Sequence, residues 1–86
     1  MVKSGLHIDK YGNKRWYKNH LIHRLNGPAL EFADGGKQWS YEDYLHREDG
    51  PAVKYSDGED WYYQGKWINC STQEEFERLI KLRLLW

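Results

Sequence analysis

The sequence contains few or none of the features that mark several protein classes. It has one cysteine in 86 residues, so the chain cannot form an internal disulfide, which fits a reducing cytoplasm. No apolar run approaches the roughly 18 residues of a membrane-spanning helix, and no signal peptide is recognisable. The 13 basic and 13 acidic residues give a formal net charge of zero, so no overall positive charge directs the chain to nucleic acid. We therefore expect a cytoplasmic protein that does not bind membranes.

Aromatic side chains, in contrast, are abundant. They make up 16% of the chain, with five Trp and seven Tyr, although hydrophobic residues are only 40% and the mean hydropathy is −0.98. A domain of this size buries only roughly 60–65% of its unfolded surface, and each buried aromatic residue removes about 150–250 Å² from water. This composition predicts one domain, residues 1–86, that forms a thin layer and leaves rings for a partner surface.

One seven-residue segment occurs twice, at an offset of 23 residues. HRLNGPA at residues 23–29 returns as HREDGPA at residues 46–52. Without any gap, the same offset carries Trp16 onto Trp39 and then onto Tyr62. A period of this length indicates stacked structural units that share a continuous apolar layer.

Short strand patterns alternate with turn signals along residues 1–70. Asp57-Gly58 is the strongest turn signal, and the expected hairpins turn at residues 19–20, at residues 42–43 and around Gly65. The expected strands are residues 6–8, 14–18, 21–24, 29–33, 38–41, 44–47, 52–56, 61–64 and 66–69. This spacing predicts a mainly β fold, an antiparallel β-hairpin repeat meander of about 2.5 repeats of 23 residues.

Residues 71–86 have the pattern of a C-terminal α-helix that caps the sheet. Ser71 or Thr72 is followed three residues later by Glu, as in a capping box, and acidic residues fill the first turn. Apolar residues occur on more than one side of the helix, so we expect one side to cover the sheet and another to form a homodimer. The expected dimer interface consists of Phe76, Ile80, Leu84 and Trp86. The alternative is that Trp86 folds back onto its own sheet.

The repeat unit resembles units of known repeat proteins. Its period, its Tyr and Trp residues and its Asp-Gly turns are similar to MORN-type β-hairpin repeats. The unit His-Arg-x-x-Gly-Pro-Ala, with Asp-Gly and then Trp, more closely resembles small proteins encoded largely by bacteriophages and some bacteria, over residues 9 to 86. The third unit departs from the pattern, because Asn69-Cys70 replaces His-Arg. The resemblance implies a β-repeat fold without catalytic residues, and a phage origin would imply a host-takeover or anti-defence role.

The two His-Arg pairs have a structural and a functional interpretation. Adjacent strand residues point to opposite faces, so we expect His23 and His46 on one face and Arg24 and Arg47 on the other. In the structural interpretation, each Arg binds turn carbonyls or the nearby Asp49, and each His packs beside a ring. In the functional interpretation, the pairs form a row of donors for an anion such as phosphate or carboxylate.

The aromatic ladder that begins with Trp16 also has two interpretations. Its rings either pack across strands and fix their register, or form an exposed surface. Such a surface stacks nucleic-acid bases at about 1–3 kcal/mol each, or anchors a protein partner. The expected ligand- or partner-binding residues are Trp16, His23, Arg24, Trp39, Tyr41, His46, Arg47 and Tyr62.

No motif indicates catalysis, a cofactor or a metal. The four histidines lack zinc-ligand spacing, and no catalytic triad, phosphate loop or dinucleotide motif occurs. Cys70 is either a small side chain packed at a strand end or a reactive thiol before the helix. We therefore expect a non-enzymatic binding protein, more specifically a protein-interaction module. The resemblance to phage-encoded proteins implies that it binds and inhibits a host defence or nucleic-acid-processing protein. The alternatives are a sponge that sequesters a small anionic nucleotide-like ligand, and a single-stranded nucleic-acid binding protein.

Overall fold

The computed structural model describes residues 4–84, and of Arg83 and Leu84 it describes the backbone only. The described part is mainly antiparallel β-sheet with a single C-terminal helix, α1 (Gln73–Leu84), which confirms the mainly β class and the C-terminal helix of the prediction. The strands are β1 (Gly5–Ile8), β2 (Lys14–Lys18), β3 (Leu21–Ile22), β4 (Leu30–Glu31), β5 (Lys37–Gln38), β6 (Ser40–Tyr41), β7 (Tyr44–Leu45), β8 (Val53–Tyr55), β9 (Gly58–Tyr63) and β10 (Lys66–Ile68).

Most strands belong to one antiparallel sheet with the order β1-β2-β4-β5-β8-β9-β10. Strand β3 pairs with β2 outside this path, and β6 and β7 form a separate two-stranded sheet. Short turns connect most neighbours in the sheet, but β3 comes between β2 and β4 in the chain, and the β6–β7 hairpin comes between β5 and β8. The result is a flat slab with principal extents of 41 × 30 × 17 Å.

Three hairpins, β2–β3, β6–β7 and β9–β10, turn at residues 19–20, 42–43 and 64–65, as predicted. Both residues of each turn have positive φ, which is the conformation that two-residue hairpin turns favour. Only Gly65 adopts it without steric cost. In the second turn, the amide of Asp43 donates a 2.8 Å hydrogen bond to Ile22 O of the preceding hairpin. Tertiary contacts thus hold non-glycine residues in a left-handed turn.

The third hairpin turn comes one residue earlier than the constant offset predicts. The first two turns are 23 residues apart, whereas the second and third are 22 apart. The difference arises in the preceding connection, because five residues separate the paired Glu31 and Lys37 but only four separate Lys54 and Glu59. The gapless alignment of the third unit is therefore wrong, and Trp61, not Tyr62, has the place of Trp39.

The main core lies where α1 packs against the third hairpin. Its buried side chains are Trp61, Ile68, Phe76 and Ile80. Trp61 Nε1 donates a hydrogen bond of 2.8 Å to Gln73 Oε1, and Gln73 Nε2 donates one of 2.9 Å to Glu48 O. The helix begins after Thr72, whose Oγ1 accepts the amide of Glu75 at 3.2 Å as an N-cap. Burying each large apolar side chain contributes about 1.5–3 kcal/mol. Through Phe76 and Ile80, α1 is therefore part of the folded core.

This packing corrects two of the expected dimer contacts. Phe76 has no exposed surface and Ile80 is buried, and both contact the chain's own sheet rather than a second chain. Leu82 is exposed on the helix. The side chain of Leu84 and all of Trp86 lie outside the described residues. The homodimer stays a prediction, and it loses the support of Phe76 and Ile80.

Candidate functional site

The arginine of each HRxxGPA segment lies over the ring of a tryptophan. Arg24 Cζ is 3.9 Å from the centroid of the Trp16 ring, and Arg47 Cζ is 3.8 Å from that of Trp39. A guanidinium in this position is attracted to the ring by about 0.5–2 kcal/mol. The two tryptophans are thus half-buried, each with a charged cover.

The Gly-Pro that follows each arginine completes this arrangement. A Cβ on Gly50 would lie 2.6 Å from Arg47 Cζ, so only glycine lets the guanidinium come this close. Arg47 Nη1 donates a hydrogen bond of 3.1 Å to Pro51 O, and Arg24 Nη1 donates one of 3.2 Å to Pro28 O. These are the turn carbonyl contacts that the structural interpretation predicts, and they explain why arginine, glycine and proline occur together.

Each arginine also has a carboxylate beside it. Arg47 Nε donates to Asp49 Oδ1 at 2.9 Å, and Arg24 Nη1 is 3.6 Å from Glu31 Oε2. Any anionic ligand would have to compete with these carboxylates for the same guanidinium groups. The positive charge of the two arginines is therefore balanced locally.

The histidines of the two segments bind the turn of the following hairpin. His23 Nδ1 accepts the amide N–H of Glu42 at 3.0 Å, and His46 Nδ1 accepts that of Gln64 at 2.9 Å. Because Nδ1 is the acceptor, the neutral ring carries its proton on Nε2. The same contact thus joins the first hairpin to the second and the second to the third.

A groove of about 860 Å³ runs between the two HRxxGPA loops. It brings together five of the eight expected binding residues: Arg24, Trp39, Tyr41, His46 and Arg47. Leu25, which is 75% exposed, lies at its rim. Trp16, His23 and Tyr62 do not line it, because Trp16 lies under Arg24, His23 is buried and Tyr62 pairs across the strands with Trp67.

A second pocket, of about 500 Å³, adjoins the groove between the second and third hairpins. It is lined by Tyr41, Tyr44, His46 and Gln64, so it shares Tyr41 and His46 with the groove. Tyr44 is 63% exposed. Neither Tyr44 nor Gln64 was among the binding residues expected from the sequence. A unit-by-unit comparison could have indicated Tyr44, which takes the place of Leu21 in the first hairpin.

Cys70 does not have the environment of a reactive thiol. Burial raises the pKa of Cys70, and the negative charge of Glu75 raises it further. The side chain packs against the helix core. A raised pKa keeps the thiol protonated near neutral pH and disfavours the nucleophilic thiolate, so the structural interpretation accounts for this residue.

Two further searches of the described residues give no site. No group of three or more His, Cys, Asp and Glu side chains in that part of the chain could hold a metal ion. Helix α1 is the only helix there, and it is neither long nor apolar enough to cross a membrane.

Comparisons with protein-family models, with curated proteins and with solved structures find no match for the chain.

Proposed function

We propose that the protein is a non-enzymatic protein-interaction module, built as a MORN-like meander of β-hairpin units. The repeat is supported by contacts that recur from one segment to the next. Each segment stacks its arginine on a tryptophan and binds a proline carbonyl, and its histidine accepts an amide of the next hairpin. Since these residues hold the hairpins together, we assign the binding function to the exposed side chains between them.

The observation that carries this proposal is the exposed apolar surface around the groove. Leu25 is 75% exposed, Tyr44 63% and Tyr41 46%, and all three line the groove or the adjoining pocket. Tyrosine is a common anchor of protein interfaces, because it combines a large rigid ring with a polar hydroxyl. Aromatic side chains on a rigid support need little reordering when they bind.

Local charges argue against the two alternative functions, which are sequestration of a nucleotide-like ligand and binding of single-stranded nucleic acid. A nucleotide-like anion would meet arginines that already have Glu31 and Asp49 as partners. For single-stranded nucleic acid, a continuous basic stripe would be required. The cross-strand row instead has glutamates between and beside its lysines, in the order Lys14, Glu31, Lys37, Lys54 and Glu59.

We propose a host protein as the partner, in the bacterial cytoplasm, on the resemblance of the repeat to those of phage-encoded proteins. Inhibition of a defence or nucleic-acid-processing enzyme would then be the role. Assembly of the module as a homodimer, through the exposed side of α1, belongs to the same proposal.

The test is a pull-down from bacterial lysate with the tagged protein, followed by mass spectrometry of the retained proteins and of the small molecules released by heat. We expect a stoichiometric protein that is retained by the wild type and lost with Leu25→Asp. Tyr55→Ala is the matched control, because Tyr55 is also exposed but lies outside the groove and its adjoining pocket. A retained nucleotide-like mass without a protein would favour the sponge instead.

A further inference from the structure

The chain contains the same junction between hairpins twice, with different side chains. The first junction, between the first and second hairpins, contains Lys18, Leu21, His23 and Glu42. The second junction, between the second and third hairpins, contains Tyr41, Tyr44, His46 and Gln64. In both, the histidine accepts the amide of the following turn, so the backbone frame is shared. The first junction therefore serves as an internal reference for the second.

An ion pair connects the two hairpins at the first junction. Lys18 Nζ lies 3.6 Å from Glu42 Oε1, and His23 is buried with its ring centroid 4.6 Å from that of Tyr41. The charged groups of Lys18 and Glu42 and the Nδ1 atom of His23 thus all have partners within the chain. We conclude that the first junction has a structural role.

The second junction lacks the ion pair and is open. Tyr41 and Gln64 take the places of Lys18 and Glu42, and the pocket of about 500 Å³ lies there. Tyr44 reaches over Gly65, where a Cβ would lie 2.8 Å from Tyr44 Cδ1. Asp43 has the place of Gly65 in the first junction, so the glycine makes room for the ring.

We propose that this pocket binds an uncharged aromatic side chain of the partner protein, an inference that rests on the function proposed above. Among the described residues, no Lys, Arg, Asp or Glu side chain lines the pocket, so a charged ligand group would lose water without gaining a partner. Tyr41 and Tyr44 supply rings for packing against an aromatic ligand. The pocket volume falls within the roughly 300–1,000 Å³ of ligand sites.

The polar atoms of the pocket favour an aromatic group that also carries a hydrogen-bonding atom. His46 Nδ1 already accepts the amide of Gln64, so Nε2 bears the proton and is the ring's donor. The Gln64 side chain offers both an amide donor and a carbonyl acceptor. The phenol of tyrosine and the indole of tryptophan fit this lining, and both are frequent anchors at protein interfaces.

The first experiment is a two-dimensional amide NMR titration of the full chain with N-acetyl-tryptophanamide. We expect saturable shifts at the amides of Tyr44, Gln64 and Gly65. N-acetyl-lysinamide and adenosine are the comparison probes, for a cation and for a nucleobase. Shifts of equal or larger size with either comparison probe, or no saturable shift with the tryptophan probe, would overturn the proposal.

The matched variant transfers the ion pair of the first junction to the second, as Tyr41→Lys with Gln64→Glu. The same pair already exists in the same backbone frame. Because Tyr41 also packs against His23 of the first junction, the amide spectrum of the variant has to show that the fold persists. We expect at least tenfold weaker binding of the tryptophan probe, and likewise for Tyr44→Leu, which copies Leu21. Tyr55→Leu should bind like the wild type. Unchanged binding by the double variant and by Tyr44→Leu would overturn the proposal.

The pull-down separates this inference from the function on which it rests. A protein partner that is lost with Leu25→Asp but retained by Tyr44→Leu supports the module and overturns the aromatic pocket. If no protein partner is retained at all, the proposed function fails, and the assignment of the pocket to a partner side chain fails with it. Loss of the partner with both variants supports both proposals.

Discussion

Trp39 and Trp61 hold the same place in successive hairpins but are covered in different ways. Trp39 lies under the guanidinium of Arg47 and stays half-buried. Trp61 has Asn69 rather than an arginine in the corresponding place, and it is buried with Phe76 of the helix. A charged cover tolerates water on its outer side, whereas an apolar cover must itself be buried. An inner unit can thus do without a deep core, and the last unit obtains one from α1.

The largest test of this contrast is Phe76→Ala. Phe76 is completely buried against the third hairpin, so its removal leaves a cavity beside Trp61. We expect the free energy of unfolding to fall by about 3–5 kcal/mol, which for a domain this small approaches loss of the fold. Urea unfolding followed by tryptophan fluorescence measures the change. A loss below about 1 kcal/mol would contradict the assignment of the main core to this site.

The next test concerns the charged cover, through Gly50→Ala. The new Cβ would overlap Arg47 Cζ, at 2.6 Å, and displace the guanidinium from Trp39. We expect a loss of about 1–3 kcal/mol, because the flexible guanidinium moves aside and gives up its contact with Trp39 and its hydrogen bond to Pro51 O. Gly27→Ala is the matched control with a smaller expected loss, because its Cβ would lie 3.1 Å from Arg24 Cζ. The reverse order of the two losses would count against this interpretation.

A smaller effect is expected for Gln73→Ala. This substitution removes polar contacts of the helix with the rest of the chain and leaves the apolar core intact. The substitution removes the acceptor of Trp61 Nε1 and the donor to Glu48 O. We expect a loss of about 1–2 kcal/mol, since these groups are only partly buried. Urea unfolding of the variant beside Gln38→Ala, a half-buried glutamine of the sheet, checks it. Equal losses for both would show that the contact with Trp61 adds nothing specific.

The smallest effect lies at the other end of the slab, in the turn before β2. The side-chain amide of Asn13 is the main cause that lowers the pKa of Asp9 from 3.8 to about 2, with further bonds from the backbone and Arg15. The folded state therefore favours the charged carboxylate, and its stabilisation is present above pH 4. It is lost as the pH falls from about 4 to about 2.

Asp9→Asn isolates this contribution from those of other acidic groups. The difference in stability between wild type and variant should be constant above pH 4 and shrink below it. Thermal unfolding of both proteins at several pH values measures the difference. A difference that does not change between pH 4 and pH 2 would contradict the contribution of the carboxylate.

How far the sequence predicts the fold depends on whether the information is local. The strand at residues 14–18 and the turns at residues 19–20 and 42–43 were predicted correctly, because turn chemistry and alternation are local signals. The arginine contacts with Pro28 O, Pro51 O and Asp49 also lie within the segments themselves, whereas the rings beside the histidines belong to the following hairpin. The shift in the third unit was missed because the alignment matched Asp34-Gly35 with Asp57-Gly58. The connection that contains the second of these pairs is one residue shorter than the first.

The pocket and the helix contacts were out of reach for another reason. Tyr44 and Gln64 come together only because His46 fixes one hairpin turn against the preceding hairpin. Similarly, helical spacing indicated that Phe76 and Ile80 share a face, but it did not say which face meets the sheet. Such features depend on how elements dock, and the pattern of a single element does not contain that information.

The hydrogen bond that each histidine accepts from the amide of the next turn fixes where one further hairpin can pack. Each HRxxGPA segment thus binds the hairpin that follows it in the chain. The third hairpin has no such segment after it and is covered by α1. Chain length then becomes an adjustable quantity. A duplicate of residues 24–46 inserted after His46 would add one hairpin and one junction, and the same helix would still close the end.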